Sequence, residues 1–100
     1  MADSRLTDPL RREITLYDRT WFGHIVKGHP EIAEDRLLVE QAVTRPTEIR
    51  QSASDPDCRL YYGSGPRPTV IMMVVVDVAI GVVKTAHLAG KITGGPVEWS

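Results

Sequence analysis

Cysteine is nearly absent from this chain of 100 residues. Cys58 has no second cysteine to pair with, so an internal disulfide is excluded. A lone cysteine in a short chain is typical of proteins from a reducing compartment, and we expect a cytoplasmic protein. The sequence also lacks the Cys-x-x-Cys and His-x-x-x-His spacings that hold zinc, so it predicts no metal site and no cofactor.

Long apolar runs are missing as well. The longest, residues 70–83, is interrupted by Asp77 and Gly81 and is rich in β-branched side chains. A helix that crosses a bilayer needs about 20 predominantly apolar residues. The first ten residues lack the basic and then apolar segments of a secretory signal. We therefore expect a soluble protein that has no membrane partner.

Neither sign of charge is in excess. The chain carries 12 Lys and Arg against 13 Asp and Glu, for a formal net charge of -1. Proteins that bind nucleic acid normally concentrate Lys and Arg on one surface. The composition therefore argues against a broad phosphate-binding surface, although it leaves room for a small local basic site. Gly-rich phosphate loops and Gly-x-Ser-x-Gly elbows are also missing.

The order of polar and apolar residues predicts one domain. Residues 1–12 are polar and contain a proline, so we expect a flexible N-terminal arm there. Residues 13–100 then form a single α+β domain. Its first element is a short strand over residues 13–17, where polar and apolar side chains alternate.

Two helices are predicted next. Trp21 and Ile25 are four residues apart, which indicates an amphipathic helix over residues 19–27. Gly28 is a natural residue to end it. Pro30 begins a second helix, whose first turns are acidic and which ends before the next Arg-Pro pair.

The pattern then becomes strand-like. The predicted strands cover residues 47–52, 59–62, 69–77 and 81–88. The third of these is almost wholly apolar, which is typical of a central strand covered on both faces or of half of a tight dimer sheet. The predicted fold is therefore α+β, with a short N-terminal strand and two helices packed on a four-stranded antiparallel β-meander.

All three histidines lie near predicted ends of elements. On one continuous helix, His24 and His29 would be about 140° apart and could not share a face. If Gly28 ends the helix, that restriction disappears. Each residue also has a structural explanation, because His24 could bond a neighbouring carbonyl and His29 could cap the helix end. Glu31 is expected at a helix N-terminus for reasons of the helix dipole.

Polar side chains on the strands complete the candidate residues. Arg59 and Tyr61 project from one face of their strand, where they suit phosphate or base contact or else form a solvated polar face. Thr85 and His87 also share a strand face, with Lys84 on the other. These three polar residues interrupt an apolar run, which suggests a functional group of side chains. The alternative is that the strand simply emerges into solvent at Lys84.

Residues 21–32, Trp-Phe-Gly-His-Ile-Val-Lys-Gly-His-Pro-Glu-Ile, resemble a known signature. They are similar to the His-Ile-x-x-x-His-Pro-Glu motif of small phage- and mobile-element-associated domains, the barnase–EndoU–colicin–RelE-like nucleases. Further segments resemble the same family in the same order, namely residues 45–49, 57–61, 74–77, 84–86 and 94–99. The resemblance covers about residues 13–99.

This resemblance implies a metal-independent ribonuclease fold, with the site on the sheet and the first helix. The catalytic residues implied by position are His24, His29, Arg59, Thr85 and His87. The substrate-binding residues expected beside them are Lys27, Tyr61 and Lys84. Relatives often carry a basic residue before the second motif histidine, whereas this chain has Gly28 there and Lys27 one residue earlier.

The leading functional hypothesis is RNA cleavage by transesterification. His24 or His29 would act as the base, Arg59 with Lys84 or Thr85 would stabilise the phosphorane, and His87 would protonate the leaving oxygen. An antitoxin, an immunity protein or a host protein would then be needed as a restraining partner. The alternative is a non-catalytic protein-binding module, either a mobile-element inhibitor or a homodimer, which the near-neutral charge and the apolar strand favour.

Overall fold

The computed structural model describes residues 2–100, and over that range seven strands form one mixed sheet. Their spatial order is β1-β2-β6-β5-β4-β3-β7. The strands are β1 Ser4–Thr7, β2 Glu13–Leu16, β3 Glu48–Gln51, β4 Cys58–Ser64, β5 Ile71–Asp77, β6 Val82–Ala89 and β7 Val97–Trp99. All neighbours pair antiparallel except β2 and β6, which are parallel.

The first helix covers residues 18–28, and its middle, Trp21–Ile25, is a π-helical turn. Trp21 and Ile25 are buried, as their spacing predicts, whereas Phe22 is 53% exposed. Pro30 does not begin a long helix; it opens a 3-10 turn, Pro30–Ile32. The second helix is Arg36–Thr44.

The predicted architecture of two helices on a four-stranded antiparallel meander is wrong. The chain is α+β, but the described residues form a seven-stranded mixed sheet with two short helices. The segment predicted to be a flexible N-terminal arm forms β1. Only Leu6 is apolar in this strand, so the sequence has no alternation of polar and apolar residues that would predict it. The last strand, β7, is three residues long and follows a Gly/Pro-rich segment. It is therefore too short to be predicted from its sequence pattern.

Different parts of the chain pack on the two faces of the sheet. On the helix face, Tyr61, Val74 and Ala86 stand in register and are fully buried beneath the helices. On the opposite face, Tyr62 is paired through β5 with His87. We call this the tail face, because residues 90–96 fold over part of it. Their contact includes a hydrogen bond of 2.9 Å from the Tyr62 hydroxyl to a carbonyl in that segment.

The second helix packs against β4, β5 and also β1, so the sheet curls around it. Close approach requires a glycine on β4. A Cβ at Gly63 would lie 2.8 Å from the Cα of Ala42 on the helix. This tight contact fixes the distance between helix and sheet.

The edge of β6 is paired over a short length. Among the described residues, β2 meets β6 at one register pair, Thr15 with Val82. Beyond that pair the first helix packs beside β6. The end of the first helix can therefore approach the second half of β6.

Candidate functional site

Two of the histidines meet although they come from opposite parts of the chain. The ring centroids of His29 and His87 are 5.3 Å apart, with an angle of 34° between the ring planes. The helix ends at Gly28, and His29 leaves the helical conformation with φ -137° and ψ 70°. That departure lets its side chain turn towards β6, as the sequence allows if Gly28 ends the helix.

The two rings have different partners. Nδ1 of His87 lies 2.9 Å from the carbonyl oxygen of Leu88. In the tautomer with the proton on Nδ1, this nitrogen donates a hydrogen bond to that carbonyl. In that tautomer, Nε2 keeps its lone pair and can accept a proton. Nδ1 of His29 lies 3.3 Å from Oε1 of Glu31, so a protonated His29 forms an ion pair and keeps an Nε2 proton to donate.

The histidine pair is partly accessible to solvent. The side chains of His29 and Glu31 are 37% and 51% exposed. Thr85 lies two residues before His87 on the same strand, is half-buried, and shares the tail face with it. Lys27 is exposed in the last turn of the first helix, two residues before His29. The pair is therefore accessible from the side of His29 and Glu31, and Thr85 and Lys27 are each two residues away from one of the histidines in the sequence.

The structure does not bring the other predicted residues to this pair. His24 is exposed on the π-helical turn. Lys84 is the extra residue of a β-bulge between β5 and β6, because Val83 and Thr85 pair with consecutive residues of β5. Hydrogen bonds from the Asp57 backbone and from the Cys58 thiol lower the pKa of the Asp55 carboxyl, and the charge of Lys84 makes a smaller contribution in the same direction.

Arg59 and Tyr61 project from the helix face, opposite to Thr85 and His87. Tyr61 pairs with Val74, whereas His87 pairs with the neighbouring residue of β5, and successive strand residues point to opposite faces. The shared face of Arg59 and Tyr61 therefore agrees with the strand pattern. Neither residue reaches the histidine pair.

These two residues belong to a second polar group, which we call the arginine cluster: Asp8, Arg12, Arg59, Tyr61 and Glu98. Arg12 donates to Glu98 at 2.6 Å, to Asp8 at 2.8 Å and to the Tyr61 hydroxyl at 3.2 Å. Arg59 donates to the other oxygen of Glu98 at 2.8 Å. The Tyr61 hydroxyl donates to Asp8.

Burial and hydrogen bonds shift the pKa values of four groups in the cluster, Asp8, Arg12, Tyr61 and Glu98. Burial opposes the ionised form of Asp8, but donation from Tyr61 and from the backbone and side chain of Arg12 outweighs it and lowers the pKa. Burial also opposes ionisation of Glu98, whose pKa is lowered by Arg12 and Arg59. Burial and then the bond to Asp8 raise the pKa of Tyr61 well above its ordinary value. The cluster therefore holds two carboxylates and a neutral phenol.

Sequence reasoning missed Asp8, Arg12 and Glu98. The one local signal is Asp8-Pro9, which is typical of a turn. Asp8 does organise that turn, since its Oδ1 accepts the backbone N–H groups of Leu10 and Arg12, each at 2.9 Å. The contacts that make the cluster join residues far apart in the sequence, so no spacing indicates them.

Comparisons of the chain with protein-family models, with curated proteins and with solved structures find no match. Within residues 2–100, no group of three or more His, Cys, Asp or Glu side chains is placed to hold a metal ion. In the same range, no helix has the length and apolarity needed to cross a membrane.

Proposed function

We propose that this domain is a metal-independent ribonuclease in which His29 and His87 transfer the protons. The observation that carries the proposal is the 5.3 Å separation of the two rings. It is supported by the resemblance of residues 21–32 to a nuclease signature, because His29 is the second histidine of that motif. General acid and general base must both reach one substrate, and these two half-buried side chains lie side by side.

We assign the roles of the two rings from their different partners. His87 takes the proton of the RNA 2′-hydroxyl at Nε2, since its Nδ1 is directed at the Leu88 carbonyl. The 2′-oxygen attacks phosphorus, and the bond from phosphorus to the 5′-oxygen breaks. His29, paired with Glu31, donates a proton from Nε2 to that leaving oxygen. The products are a 2′,3′-cyclic phosphate and a free 5′-hydroxyl.

Charge on the phosphorane oxygens needs a donor close to the rings. Thr85 shares the strand face of His87, and Lys27 lies in the helical turn before His29. We assign the hydroxyl of Thr85 and the ammonium group of Lys27 to this role. Arg59 is left out, because it projects from the other face of the sheet. A nuclease of this kind would also need an antitoxin or immunity protein to restrain it.

The protein-binding alternative has less support. It drew on the apolar strand, which in the structure is β5, at the centre of the sheet. Met72, Val74 and Val76 of β5 are fully buried in the core of this chain. The helix-face half of the apolar run is therefore accounted for without a partner protein, whereas Ile71 and Val75 on the tail face are half-buried.

The test is degradation of a defined RNA by the purified protein in EDTA, with the cleaved ends identified. We expect 2′,3′-cyclic phosphate ends, and a loss of at least about 100-fold in rate for His29→Ala and for His87→Ala. His24→Ala removes a histidine that the sequence named as a candidate base but that the proposal gives no role, and it should retain most of the activity. The absence of cleavage by the parent protein would contradict the proposal, and so would an equal loss in His24→Ala.

A further inference from the structure

Glu98 is held between two arginines. Its Oε1 accepts a hydrogen bond of 2.6 Å from Arg12, and its Oε2 accepts one of 2.8 Å from Arg59. Each carboxylate oxygen thus has its own guanidinium group. Two guanidinium groups that converge on neighbouring oxygens form the arrangement with which proteins bind phosphate.

Both guanidinium groups have other anchors. Nε of Arg12 donates to Asp8 at 2.8 Å, and its side chain also donates to the hydroxyl of Tyr61. Arg59 donates to two backbone carbonyls, those of Pro56 at 2.9 Å and of Cys58 at 3.0 Å. These bonds do not involve Glu98, so we expect both arginines to stay in place without it.

Local backbone geometry directs Glu98 to this position. Trp99 and Val97 pair with consecutive residues of β3, Ile49 and Arg50, so Glu98 is the extra residue of a β-bulge. Bulges turn a side chain away from the regular alternation of a strand. The site also remains in contact with water, because the side chains of Arg12, Glu98 and Arg59 are 24%, 18% and 17% exposed.

We propose that Arg12 and Arg59 form a binding site for a phosphate group, and that Glu98 occupies this site in the resting protein. Two non-bridging phosphate oxygens would replace the two carboxylate oxygens. Without Glu98, the two guanidinium charges exceed the single charge of Asp8, so the site attracts an anion. The inference does not depend on the histidine pair, which lies at β6 and the end of the first helix.

Thermal unfolding in inorganic phosphate, against chloride at the same ionic strength, tests the site. A ligand that binds the folded state raises the midpoint temperature in proportion to its affinity. We expect Glu98→Ala to bind phosphate at least about tenfold more tightly than the parent, because the internal competitor is removed. Glu48→Ala is the matched control, since it removes the carboxylate paired with Arg50 on β3 and should gain no phosphate binding.

Two further variants complete the test. Glu98→Gln keeps the shape of the side chain and should also gain phosphate binding if Glu98→Ala proves too unstable to measure. Adding Arg59→Gln to either variant should abolish the gain. The inference is overturned if neither position-98 variant gains, if the parent already binds as tightly, or if the gain survives Arg59→Gln.

An oligoribonucleotide without terminal phosphates serves as a second probe. Tighter binding of this probe than of inorganic phosphate would assign the site to the phosphodiester backbone of RNA. The reverse order would assign it to free phosphate or a phosphate monoester. Both results support the site, and neither measures cleavage, so failure here and failure of the proposed function are distinguishable.

Discussion

Asp8 is a buried carboxylate on which several polar contacts converge. It is 3% exposed, and its two oxygens accept hydrogen bonds from Leu10, from Arg12 twice and from Tyr61. A buried carboxylate is tolerated when its oxygens are satisfied in this way. Removal of one donor therefore leaves a charge that water cannot fully reach.

Tyr61→Phe removes the hydroxyl that donates to Asp8. We expect the free energy of unfolding to fall by about 1.5–3 kcal/mol, the range for hydrogen bonds to charged groups. Tyr62→Phe is the matched control. Its hydroxyl donates to the neutral Thr93 carbonyl, so we expect a loss of about 0.5–1.5 kcal/mol. Urea unfolding of the three proteins measures both values, and a smaller loss for Tyr61→Phe than for Tyr62→Phe would contradict the account.

Asp8 and Glu98 also predict how stability depends on pH. Folding lowers the pKa of both carboxyls below their ordinary values of 3.8 and 4.5. Their contribution is therefore complete above those values and is lost as the pH falls through the lower folded values. Urea unfolding between neutral and acid pH should show this decline, and Asp8→Asn should flatten it. An unchanged acid slope in Asp8→Asn would show that Asp8 does not contribute as described.

At the level of elements, alternation and turn residues predict β2, the first helix and the strands β3 to β6. These signals fail for β1 and β7, which are short and have few apolar residues. Both segments are strands because they pair with neighbouring strands, not because polar and apolar residues alternate in them. The parallel pairing of β2 with β6 joins residues far apart in the chain, and no local signal specifies it. The π-helical turn is likewise invisible in the spacing of Trp21 and Ile25.

Glycine substitutions test the packing of helix on sheet. Gly63→Ala should destabilise the protein by about 1–3 kcal/mol, because the new methyl group overlaps Ala42 in the core. Gly23→Ala is the opposite case. A Cβ at Gly23 meets nothing within 4 Å, so the helical preference of alanine should add about 0.5–1 kcal/mol of stability. Thermal melts check both signs, and a neutral Gly63→Ala would show that the helix does not approach the sheet this closely.

The same limits apply to the candidate site. The sequence indicates the polar residues at the ends of the first helix and in β6, and the structure brings His29 and His87 together there. Which histidine contacts β6 depends on where the first helix ends. A glycine at position 28 can either continue or end a helix, so the sequence alone does not specify this. The strand pattern pairs Arg59 with Tyr61 on one face, but local alternation carries no information about Asp8, Arg12 or Glu98.

At the scale of the whole molecule, the curled sheet keeps two polar groups apart. The turn between β1 and β2 carries Arg12 to Tyr61 and Glu98 on the far strands, so the arginine cluster ties together both halves of the sheet. The histidine pair lies where the first helix meets the free part of the β6 edge. The proposed proton transfer and the proposed anion binding therefore concern separate places in the chain.

The central claim is that His29 and His87 act as one acid–base pair. The most direct measurement compares RNA cleavage rates of His29→Ala, His87→Ala and the double variant, with folding checked by circular dichroism. Residues that act as a unit give strongly non-additive losses. We therefore expect the double variant to be about as slow as the slower single variant. Losses that multiply, or single variants as active as the parent, would contradict the account.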